Sequence, residues 1–521
     1  MAGCAVSADR VAELTSWDAD WSGLRVVVTG IGVSGFSAAD TLAELGAQVV
    51  VVDAATDAET KAKADTLKIV GVQEVLLGPD HSGSLPDVSG SAPELVVTSP
   101  GWGPRNPLLA AAADAGIPIW GDVELAWRLR NRRGRTAAPW LAITGTNGKT
   151  TTVGLTEAML RAAGKRAIAV GNVGTPVLDA IRDPEGYDVL AVELSSFQLH
   201  WSHSLSPLAS VCLNVAEDHV DWHGSYAEYL ADKAKVYANT QVAAVYNAEA
   251  PETERMVEEA DVVEGCRAIG FTTNTPALSM VGVVDNLLVD RAYIENRRDA
   301  AAELAGLNDF EQGAARHMVA NALAAAALVR AFGVGPEAVR AGIRSYHPGA
   351  HRIQLVAHFA GVKWVNDSKA TNPHAADASL GAFGSVIWIA GGLSKGVDYD
   401  ELVARHSARL KKVVLIGADS SALKSSLRRH APDVPVIEAM PGETEGKQPD
   451  TTGVALTGNG GNVMSAAVTA AADAAGDGDT VLMAPAAASM DQFSSYAHRG
   501  NAFIEAVREY VEGQAQTTKE L

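Results

Sequence analysis

The chain contains a short glycine-rich segment of the kind that binds phosphate. Residues 141–151 read LAITGTNGKTT, an apolar run followed by glycines, a lysine and threonines. Backbone N–H groups in such a turn can cradle phosphate oxygens, Lys149 can bridge the outer phosphates, and the hydroxyl of Thr150 can bind Mg²⁺. Ile143 stands where the usual, longer motif has its first glycine. A strand before and a helix after are nonetheless indicated, so we predict an ATP-binding loop and not a glycine turn with a surface lysine.

A second glycine motif precedes this loop. Gly30-Ile-Gly32-Val-Ser-Gly35 follows a buried strand and opens a helix, and Asp53 ends the next strand 18 residues after Gly35. This context matches the dinucleotide fingerprint, in which glycines let a pyrophosphate approach a helix N-terminus and the acid binds a ribose hydroxyl. On this motif alone an NAD-dependent dehydrogenase is a candidate. A dehydrogenase has no use for a triphosphate loop, however, and two nucleotide motifs together favour an ATP-driven synthetase with a nucleotide-linked substrate.

Acids and histidines after the loop could complete a metal site. Glu193 ends a predicted strand in VELSSFQL, where its carboxylate could join Thr150 on Mg²⁺. His219 and His223 lie four residues apart in EDHVDWHG, a spacing that could hold zinc. No further ligand motif accompanies the pair, so a packed histidine is the simpler interpretation of His219.

The elements that must position these residues alternate between strands and helices. RVVVTG, SGFSAADTLAELG and AQVVVVD form a βαβ unit, PWLAITG opens a second block, and a third block begins near SYHPGAHR. We predict an α/β protein of three domains: a Rossmann-like domain over residues 1–130, a central ATPase domain with a mostly parallel sheet over 131–347, and a Rossmann-like domain over 348–521. The Arg-rich segment 128–139 is expected to be a solvated linker, and segment 441–464 a flexible insertion.

Composition restricts the partners and the compartment. The 521 residues include 42 Lys+Arg against 62 Asp+Glu, a formal net charge of −20, which argues against a nucleic-acid or anionic-membrane binder. Cys4, Cys212 and Cys266 show no metal or redox spacing and fit a reducing compartment. The first residues show no signal-peptide pattern and no apolar run is long enough to span a bilayer, so we expect a cytoplasmic protein.

Several motifs together resemble the ATP-dependent Mur ligase family, which itself resembles folylpolyglutamate synthetase. The resemblance runs from about residue 20 to about residue 510 and rests on GTNGKTT, GNVG (171–174), ELSSFQL (193–199), NVxEDH (214–219), HxxxN (317–321) and His351-Arg352. Segments 366–373 and 484–503 are similar to the branch of the family that acts on D-glutamate. The sister branches typically carry a D-x-A-H-x-P type segment where NDSKATN stands in this chain.

The resemblance implies a peptide-bond-forming ligase of peptidoglycan precursor synthesis. ATP would phosphorylate the L-alanyl carboxylate of UDP-N-acetylmuramoyl-L-alanine, and the amine of D-glutamate would then displace phosphate from the acyl phosphate. Two Mg²⁺ ions would assist. The implied protein is a cytoplasmic monomer whose partners are these small molecules, without nucleic acid or membrane.

The resemblance also implies a role for individual residues. Thr150 and Glu193 would hold the first Mg²⁺, and His219 would help to hold a second. Lys233 matches the family's carbamylated lysine, whose CO₂ adduct would be a carboxylate-like metal ligand; Lys235 is the alternative if the alignment shifts. The implied catalytic residues are Lys149, Glu193, His219 and Lys233.

The implied binding residues fall into three groups. The ATP contacts are Gly145, Thr146, Asn147, Gly148, Lys149, Thr150, Thr151, Asn321, His351, Arg352, Asp367 and Lys369. The contacts to the UDP-substrate are Val33, Ser34, Asp53, Gly101, Asn172 and Ser195. The contacts to D-glutamate are Thr371, Lys395, Ser489, Met490 and Tyr496. Two positions depart from the family pattern, since Met318 stands where an amide is common and Tyr496 where a phenylalanine is common.

Three alternatives explain less of the chain. A dehydrogenase accounts only for GIGVSG and Asp53. A non-catalytic ATP-dependent scaffold would be expected to lose Lys149, Glu193 or His219, and all three are present. Folylpolyglutamate synthetase shares the phosphate machinery, but it would not be expected to carry a GxGxxG-type domain at its N-terminus.

Overall fold

The chain divides into two compact units, residues 1–347 and residues 348–521. The computed structural model describes six ranges: 10–172, 174–311, 313–347, 349–394, 397–439 and 460–520. The first unit contains two β-sheets and the second contains one. Parallel pairing dominates all three sheets, so the predicted α/β class is confirmed. The predicted domain boundaries at 130/131 and 347/348 stay predictions.

The first sheet has five parallel strands in the order β3-β2-β1-β4-β5. Its strands are β1 (Arg25–Thr29), β2 (Gln48–Asp53), β3 (Glu74–Leu77), β4 (Leu95–Thr98) and β5 (Ile119–Gly121). Its helices are α1 (Val33–Glu44), α2 (Ala58–Ile69), α3 (Pro107–Asp114) and α4 (Asp122–Leu129). Val26 and Val28 pack in one apolar cluster and Val27 packs in another, so the sheet is buried on both faces. This explains the uninterrupted apolar text of β1.

The second sheet has nine strands in the order β14-β13-β12-β11-β10-β9-β6-β8-β7. Its strands are β6 (Trp140–Thr144), β7 (Ala167–Gly171), β8 (Val189–Glu193), β9 (Ala209–Cys212), β10 (Ala243–Asn247), β11 (Arg267–Phe271), β12 (Met280–Val284), β13 (Leu287–Asp290) and β14 (Ala302–Gly306). Its helices are α5 (Lys149–Ala162), α6 (Val177–Arg182), α7 (Ser196–His200), α8 (Val220–His223), α9 (Tyr226–Ala234), α10 (Pro251–Glu258), α11 (Arg316–Ala331) and α12 (Pro336–Ser345). Only the pairs β12–β13 and β13–β14 are antiparallel among the pairs of this sheet in the described residues. The alanine-rich middle of α11 is buried on all sides, which its small side chains allow.

The third sheet, in the second unit, has the order β15-β16-β20-β17-β18-β19. Its strands are β15 (Gln354–Phe359), β16 (Val362–Asn366), β17 (Val386–Gly391), β18 (Leu410–Ile416), β19 (Val436–Glu438) and β20 (Thr480–Met483). Its helices are α13 (Pro373–Gly381), α14 (Asp400–His406), α15 (Ser421–His430), α16 (Gly460–Ala472) and α17 (Tyr496–Glu520). The edge strand β15 is antiparallel to β16, and the other pairs are parallel.

The prediction of a solvated linker at 128–139 was wrong for Arg130 and Arg132, which are half-buried, whereas Arg133 is exposed. Helix α4 extends to Leu129. The guanidinium of Arg130 lies 3.3 Å from the ring centroid of Trp127, and that of Arg132 lies 3.4 Å from the ring centroid of Trp17. Charge alone did not predict this, because a guanidinium can stack on an aromatic face while it keeps its charge.

Other expectations about the chain fall partly outside the described residues. Residues 460–464 belong to α16 and not to a flexible insertion, and residues 441–459 lie outside the described ranges. Cys212 and Cys266 are free thiols, the first buried, while Cys4 lies outside. Within the described ranges, the helices are too short or too polar to cross a membrane.

Candidate active site

The glycine-rich loop connects β6 to α5, as its motif predicted. Gly145 and Gly148 have positive φ angles of 150° and 86°. A Cβ at Gly148 would lie 2.4 Å from Oδ1 of Asn321, so this position requires glycine and Asn321 lies against the loop. The Nζ of Lys149 donates to the carbonyl oxygens of Gly145 and Thr146 at 2.8 and 2.9 Å. The loop is therefore wrapped around its own lysine at the start of a helix.

Two residues outside the glycine motif hold this loop in shape. Oδ1 of Asn214 accepts from the N–H of Asn147 at 3.0 Å, and its Nδ2 donates to the carbonyl of the same residue at 3.1 Å. The hydroxyl of Tyr229 lies 2.8 Å from Oγ1 of Thr146. Sequence reasoning gave neither residue a role. An asparagine two residues past the end of β9, the strand beside β6, was the available signal.

Glu193 lies beside the strand that leads into the loop. It ends β8, where it pairs with Ile143 of β6, and it is 1% exposed. Its Oε1 accepts from Nδ2 of Asn172 at 3.0 Å. Its Oε2 is buried and has no hydrogen-bond partner among the described residues. A buried carboxylate oxygen without a donor is costly, and a cation at this point would complete its coordination.

Lys233 reaches the same loop from α9. It is 2% exposed, and its Nζ donates to the carbonyl of Gly145 at 3.0 Å, an oxygen that also accepts from Lys149. Burial and the neighbouring charge of Lys149 lower the pKa of Lys233 to about 7. Among the described residues, no carboxylate lies within ion-pair distance of it. Lys235, the alternative position, instead pairs with Asp232 at 2.8 Å.

The two histidines after β9 do not form the zinc pair that their spacing allowed. His219 has a φ of 54° and precedes α8, and its Nε2 lies 3.5 Å from Oδ2 of Asp218. His223 ends α8 and is buried. Its Nδ1 lies 2.8 Å from Asp232 and its Nε2 lies 2.9 Å from Oγ of Ser196. Both ring nitrogens of His223 therefore already have partners in the protein.

In the first sheet, Asp53 supports the glycine loop that it was predicted to accompany. Its Oδ2 accepts from the N–H of Ile31 at 2.7 Å, and its Oδ1 accepts from the N–H of Ala55 at 2.8 Å. A Cβ at Gly35 would lie 1.9 Å from the carbonyl oxygen of Gly30, so the helix can approach the strand only with glycine there. Gly35 thus serves the packing of α1 against β1, and the motif's ligand role stays a prediction.

A buried polar chain connects the first glycine loop to the segment after Glu193. Burial raises the pKa of Asp122, and the nearby side chain of Ser34 opposes this shift. Oδ2 of Asp122 accepts from Nε2 of Gln198 at 3.4 Å. Gln198 and Ser195 form a reciprocal cap at the start of α7. Two further predicted contacts are exposed, Val33 and Gly101.

In the second unit, His351 and Asp367 are held by neighbouring segments. Nδ1 of His351 accepts from Nδ2 of Asn366 at 2.9 Å, and its carbonyl accepts from the N–H of Lys369 at 3.2 Å. Asp367 is buried and accepts from the hydroxyl of Ser379. Burial raises the pKa of Asp367 to about 6.

The predicted D-glutamate contacts differ in exposure. Ser489 is buried and Met490 is 69% exposed. Nζ of Lys369 lies 3.9 Å from the ring centroid of Tyr496, so the phenolic ring that departs from the family pattern supports a lysine. Thr371 and Arg352 are half-buried, and Lys395 lies outside the described residues.

A buried arginine joins the two segments that carry these contacts. Nε and Nη2 of Arg499 donate to Oγ and the carbonyl of Ser368 at 3.0 Å. Its Nη1 and Nη2 donate to the carbonyl of Ala487 at 3.1 Å. Sequence reasoning quoted the segment that contains Arg499 but assigned it no role.

Comparisons with known proteins agree along the whole chain. Three family models match: a Mur ligase MurD-like N-terminal domain over residues 24–121, a Mur ligase middle domain over 143–329, and a Mur ligase glutamate ligase domain over 351–487. The UDP-N-acetylmuramoylalanine--D-glutamate ligase of Leifsonia xyli subsp. xyli is 54% identical, with 98% of this chain and 97% of that protein covered. The chain belongs to the Mur ligase family.

This Mur ligase has further relatives of the same printed name. The protein of Streptomyces avermitilis is 53% identical over 94% of this chain and 99% of its own length, and that of Mycolicibacterium smegmatis is 46% identical over 93% and 97%. Among solved structures, MurF from Acinetobacter baumannii matches with a TM-score of 0.53 at 12% identity, over 96% of this chain and 98% of that one. The UDP-N-acetylmuramate-alanine ligase MurC from Thermotoga maritima matches with a TM-score of 0.52 at 18% identity, over 94% and 100%. At these identities the structural likeness shows the fold alone.

Proposed function

We propose that this Mur ligase joins D-glutamate to UDP-N-acetylmuramoyl-L-alanine in an ATP-dependent step of cytoplasmic peptidoglycan precursor synthesis. The observation that carries the proposal is the arrangement at the loop. Lys149 and Lys233 donate to one carbonyl oxygen there, and the strand that ends at Glu193 lies beside the strand that leads into it. The high identity to ligases of that name supports the choice of substrates. We propose a monomer without nucleic-acid partners, which the net charge of −20 favours.

The chemistry requires an activated carboxylate. A carboxylate oxygen of the L-alanyl group forms a bond to the γ-phosphorus of ATP, and the bond to ADP breaks. The amine nitrogen of D-glutamate then attacks the acyl carbon, phosphate leaves with its bonding electrons, and the amine proton passes to solvent. Lys149 and the N-terminus of α5 would neutralise the crowded phosphate charge, so catalysis is mostly alignment and charge stabilisation.

The residues at the loop fit a magnesium site. The buried, unpartnered Oε2 of Glu193 is a ready oxygen ligand, and Thr150 lies in the first turn of α5. Mg²⁺, when bound, supplies neutralisation of the phosphate oxygens. His219 would contribute to a second ion.

Lys233 would add a carboxylate-like ligand after reaction with CO₂. Its amine nitrogen bonds to the carbon of CO₂, and one proton is released, which leaves a carbamate. Only the neutral amine can react, and the pKa of Lys233 of about 7 makes that form abundant at neutral pH. Its burial next to the carbonyl of Gly145 supports an adduct at the loop.

The three substrates would contact different segments of the chain. The glycine loop at Val33 and Ser34, braced by Asp53, would hold the UDP diphosphate. The segments that Arg499 joins would hold D-glutamate through Ser489 and Thr371, together with Lys395, Met490 and Tyr496. His351, Arg352, Asp367 and Lys369 would contact ATP.

Phosphate release by the purified protein tests the function directly. The assay contains UDP-N-acetylmuramoyl-L-alanine, ATP and Mg²⁺, and offers D-glutamate, L-glutamate or the amino acids of the sister ligases one at a time. Release that depends on D-glutamate alone is expected. Release with another acceptor would refute the assignment of D-glutamate, and no phosphate release with any acceptor would refute the ligase.

The carbamate is tested by ¹³C NMR after incubation with ¹³C-bicarbonate. Lys233→Met should abolish the carbamate signal, because the reacting nitrogen is gone. Lys235→Met, the matched control, should keep it, because Lys235 faces Asp232. A carbamate signal lost only in Lys235→Met would show that Lys235, and not Lys233, is the carbamylated residue.

A further inference from the structure

One buried carboxylate connects three segments of the proposed site. The side chain of Asp232 is 8% exposed, and its Oδ2 accepts from Nδ1 of both His200 and His223 at 2.8 Å. Its Oδ1 lies 2.8 Å from Nζ of Lys235. Both carboxylate oxygens of Asp232 therefore have nitrogen partners, two imidazole nitrogens at Oδ2 and an ammonium at Oδ1.

The contacts of Asp232 fix the rotation of the helix that carries Lys233. Tyr229 and Lys233 are four residues apart in α9, on one face, and both contact the glycine-rich loop. Asp232 precedes Lys233 by one residue and so lies about 100° further around the helix. A helix held on two faces in this way can neither roll nor slide without breaking charged hydrogen bonds.

His223 extends the same network to two other segments. Its side chain is fully buried, with Nδ1 2.8 Å from Oδ2 of Asp232 and Nε2 2.9 Å from Oγ of Ser196. Ser196 follows Glu193 by three residues, and His223 follows His219 by four. The network thus connects the segments that carry Glu193, His219 and Lys233, three of the four proposed metal ligands. The fourth, Thr150, lies at the glycine-rich loop.

His200, His223 and Asp232 are residue types that bind metals, but their hydrogen bonds explain their arrangement better than a metal ion does. Among the described residues, His200, His223 and Asp232 form a group whose ligand atoms lie close enough to hold an ion. The ammonium of Lys235 occupies the other oxygen of that carboxylate and also donates to the carbonyl of His200 at 3.1 Å. A second cation beside this one would be repelled, whereas two N–H donors and an ammonium satisfy the carboxylate fully.

We propose that Asp232 is a positioning residue for the ligase reaction. It holds α9 and His223 so that Lys233, His219 and Glu193 keep their places, and its own carboxylate contacts neither substrate nor metal. The inference rests on the proposed function, because it assigns the network to that reaction's ligand segments.

The test compares Asp232→Asn with the parent protein. The amide keeps the shape of the side chain and removes its charge. Because the network supports the segments that carry the proposed metal ligands, its loss should misplace those ligands in the transition state. We expect kcat to fall roughly 10- to 100-fold, with KM for ATP and for the UDP-substrate changed less than about 3-fold. Hydrogen exchange should become faster in peptides covering 193–200 and 219–234 and stay unchanged elsewhere. Glu228→Gln, which removes an exposed charge from the same helix, should match the parent in all three measurements.

A second variant keeps the test decisive if Asp232→Asn does not fold. His200→Gln removes one donor at a position that is 27% exposed, and it should show the same pattern with a smaller loss of kcat. Unchanged kcat in both variants, or lost kcat with unchanged exchange in the two peptides, would overturn the positioning role alone. Stoichiometric zinc in the parent that Asp232→Asn lacks would overturn it as well. A parent protein without D-glutamate-dependent turnover would overturn the proposed function together with this inference.

Discussion

Arg499 offers a sharp test of how the second unit is organised. Its guanidinium is 1% exposed and donates to Ser368 on one side and to the carbonyl of Ala487 on the other. Burial lowers the pKa of Arg499 to about 10, so it stays charged at neutral pH. The segments that it joins carry the proposed contacts to ATP and D-glutamate. Arg499→Lys keeps the charge but replaces a planar fork by a single point donor.

The expected magnitude follows from the hydrogen bonds. A lysine ammonium cannot span both segments, so at least one buried carbonyl, that of Ser368 or of Ala487, loses its donor. Each buried acceptor left without a partner costs about 1–3 kcal/mol, so the free energy of unfolding should fall by about 2 kcal/mol. Since the two segments are no longer held together, KM for D-glutamate should rise about tenfold, equivalent to about 1.4 kcal/mol of binding free energy.

Two measurements on the full-length protein check this prediction. Urea unfolding gives the change in stability, and phosphate release at varied D-glutamate gives KM. Arg508→Lys is the matched control, because Arg508 lies on the same helix and is exposed. If Arg499→Lys and Arg508→Lys behave alike in both assays, the buried guanidinium does not hold the two segments and the reasoning is wrong.

Two further predictions concern the first unit. Glu193→Gln replaces the unpartnered Oε2 by an NH₂ group that cannot bind a cation. We therefore expect kcat to fall on the order of 100-fold and the Mg²⁺ concentration needed for half-maximal activity to rise, which a Mg²⁺ titration of activity measures. An unchanged Mg²⁺ dependence would contradict the proposal that Glu193 is a ligand. Burial would raise the pKa of Asp309, but a backbone N–H and the guanidinium groups of Arg340 and Arg344 lower it to about 2. A lowered pKa stabilises the fold above the unfolded value near 3.8, and this contribution disappears as the pH falls towards 2. Because Arg340 is only half-buried and Arg344 is exposed, Asp309→Asn should lower the free energy of unfolding by only about 1–2 kcal/mol at pH 7. The difference from the parent in urea unfolding should narrow below pH 4. A difference in unfolding free energy that does not change with pH would refute the conclusion that the charge of Asp309 stabilises the fold.

Local patterns predicted the fold class and the loop because the causes are local. The buried strands β1 and β6 are continuous apolar runs, and the glycines after each are required by positive φ or by close packing against a helix. The motif after β6 therefore predicted its own strand–loop–helix context correctly. Strands β7 and β13 were not predicted, because four or five residues show no clear period and neither strand is as rich in β-branched residues as β1.

Contacts between distant segments could not be predicted from the residues themselves. Lys233 and Gly145 are 88 positions apart, and only the packing of α9 against the loop makes a helix lysine into a buried one. Arg130 shows the opposite error, since its charge indicated solvent and its stacking on Trp127 depends on the tertiary fold. In both cases the residue type was compatible with two environments, and topology decided between them.

The electrostatics of the loop show how an acidic chain can bind a polyphosphate. The net charge is −20, but at physiological ionic strength charges are screened beyond about 8 Å, so only groups near the loop act strongly on a ligand there. Lys149 and Lys233 share one carbonyl acceptor, and α5 begins beside them with the positive end of its dipole. The two ammonium groups repel each other, which together with burial lowers the pKa of Lys233. Conversion of Lys233 to a carbamate would replace this repulsion by attraction to Lys149. The charge that disfavours Lys233 as an ammonium would thus stabilise its carbamate.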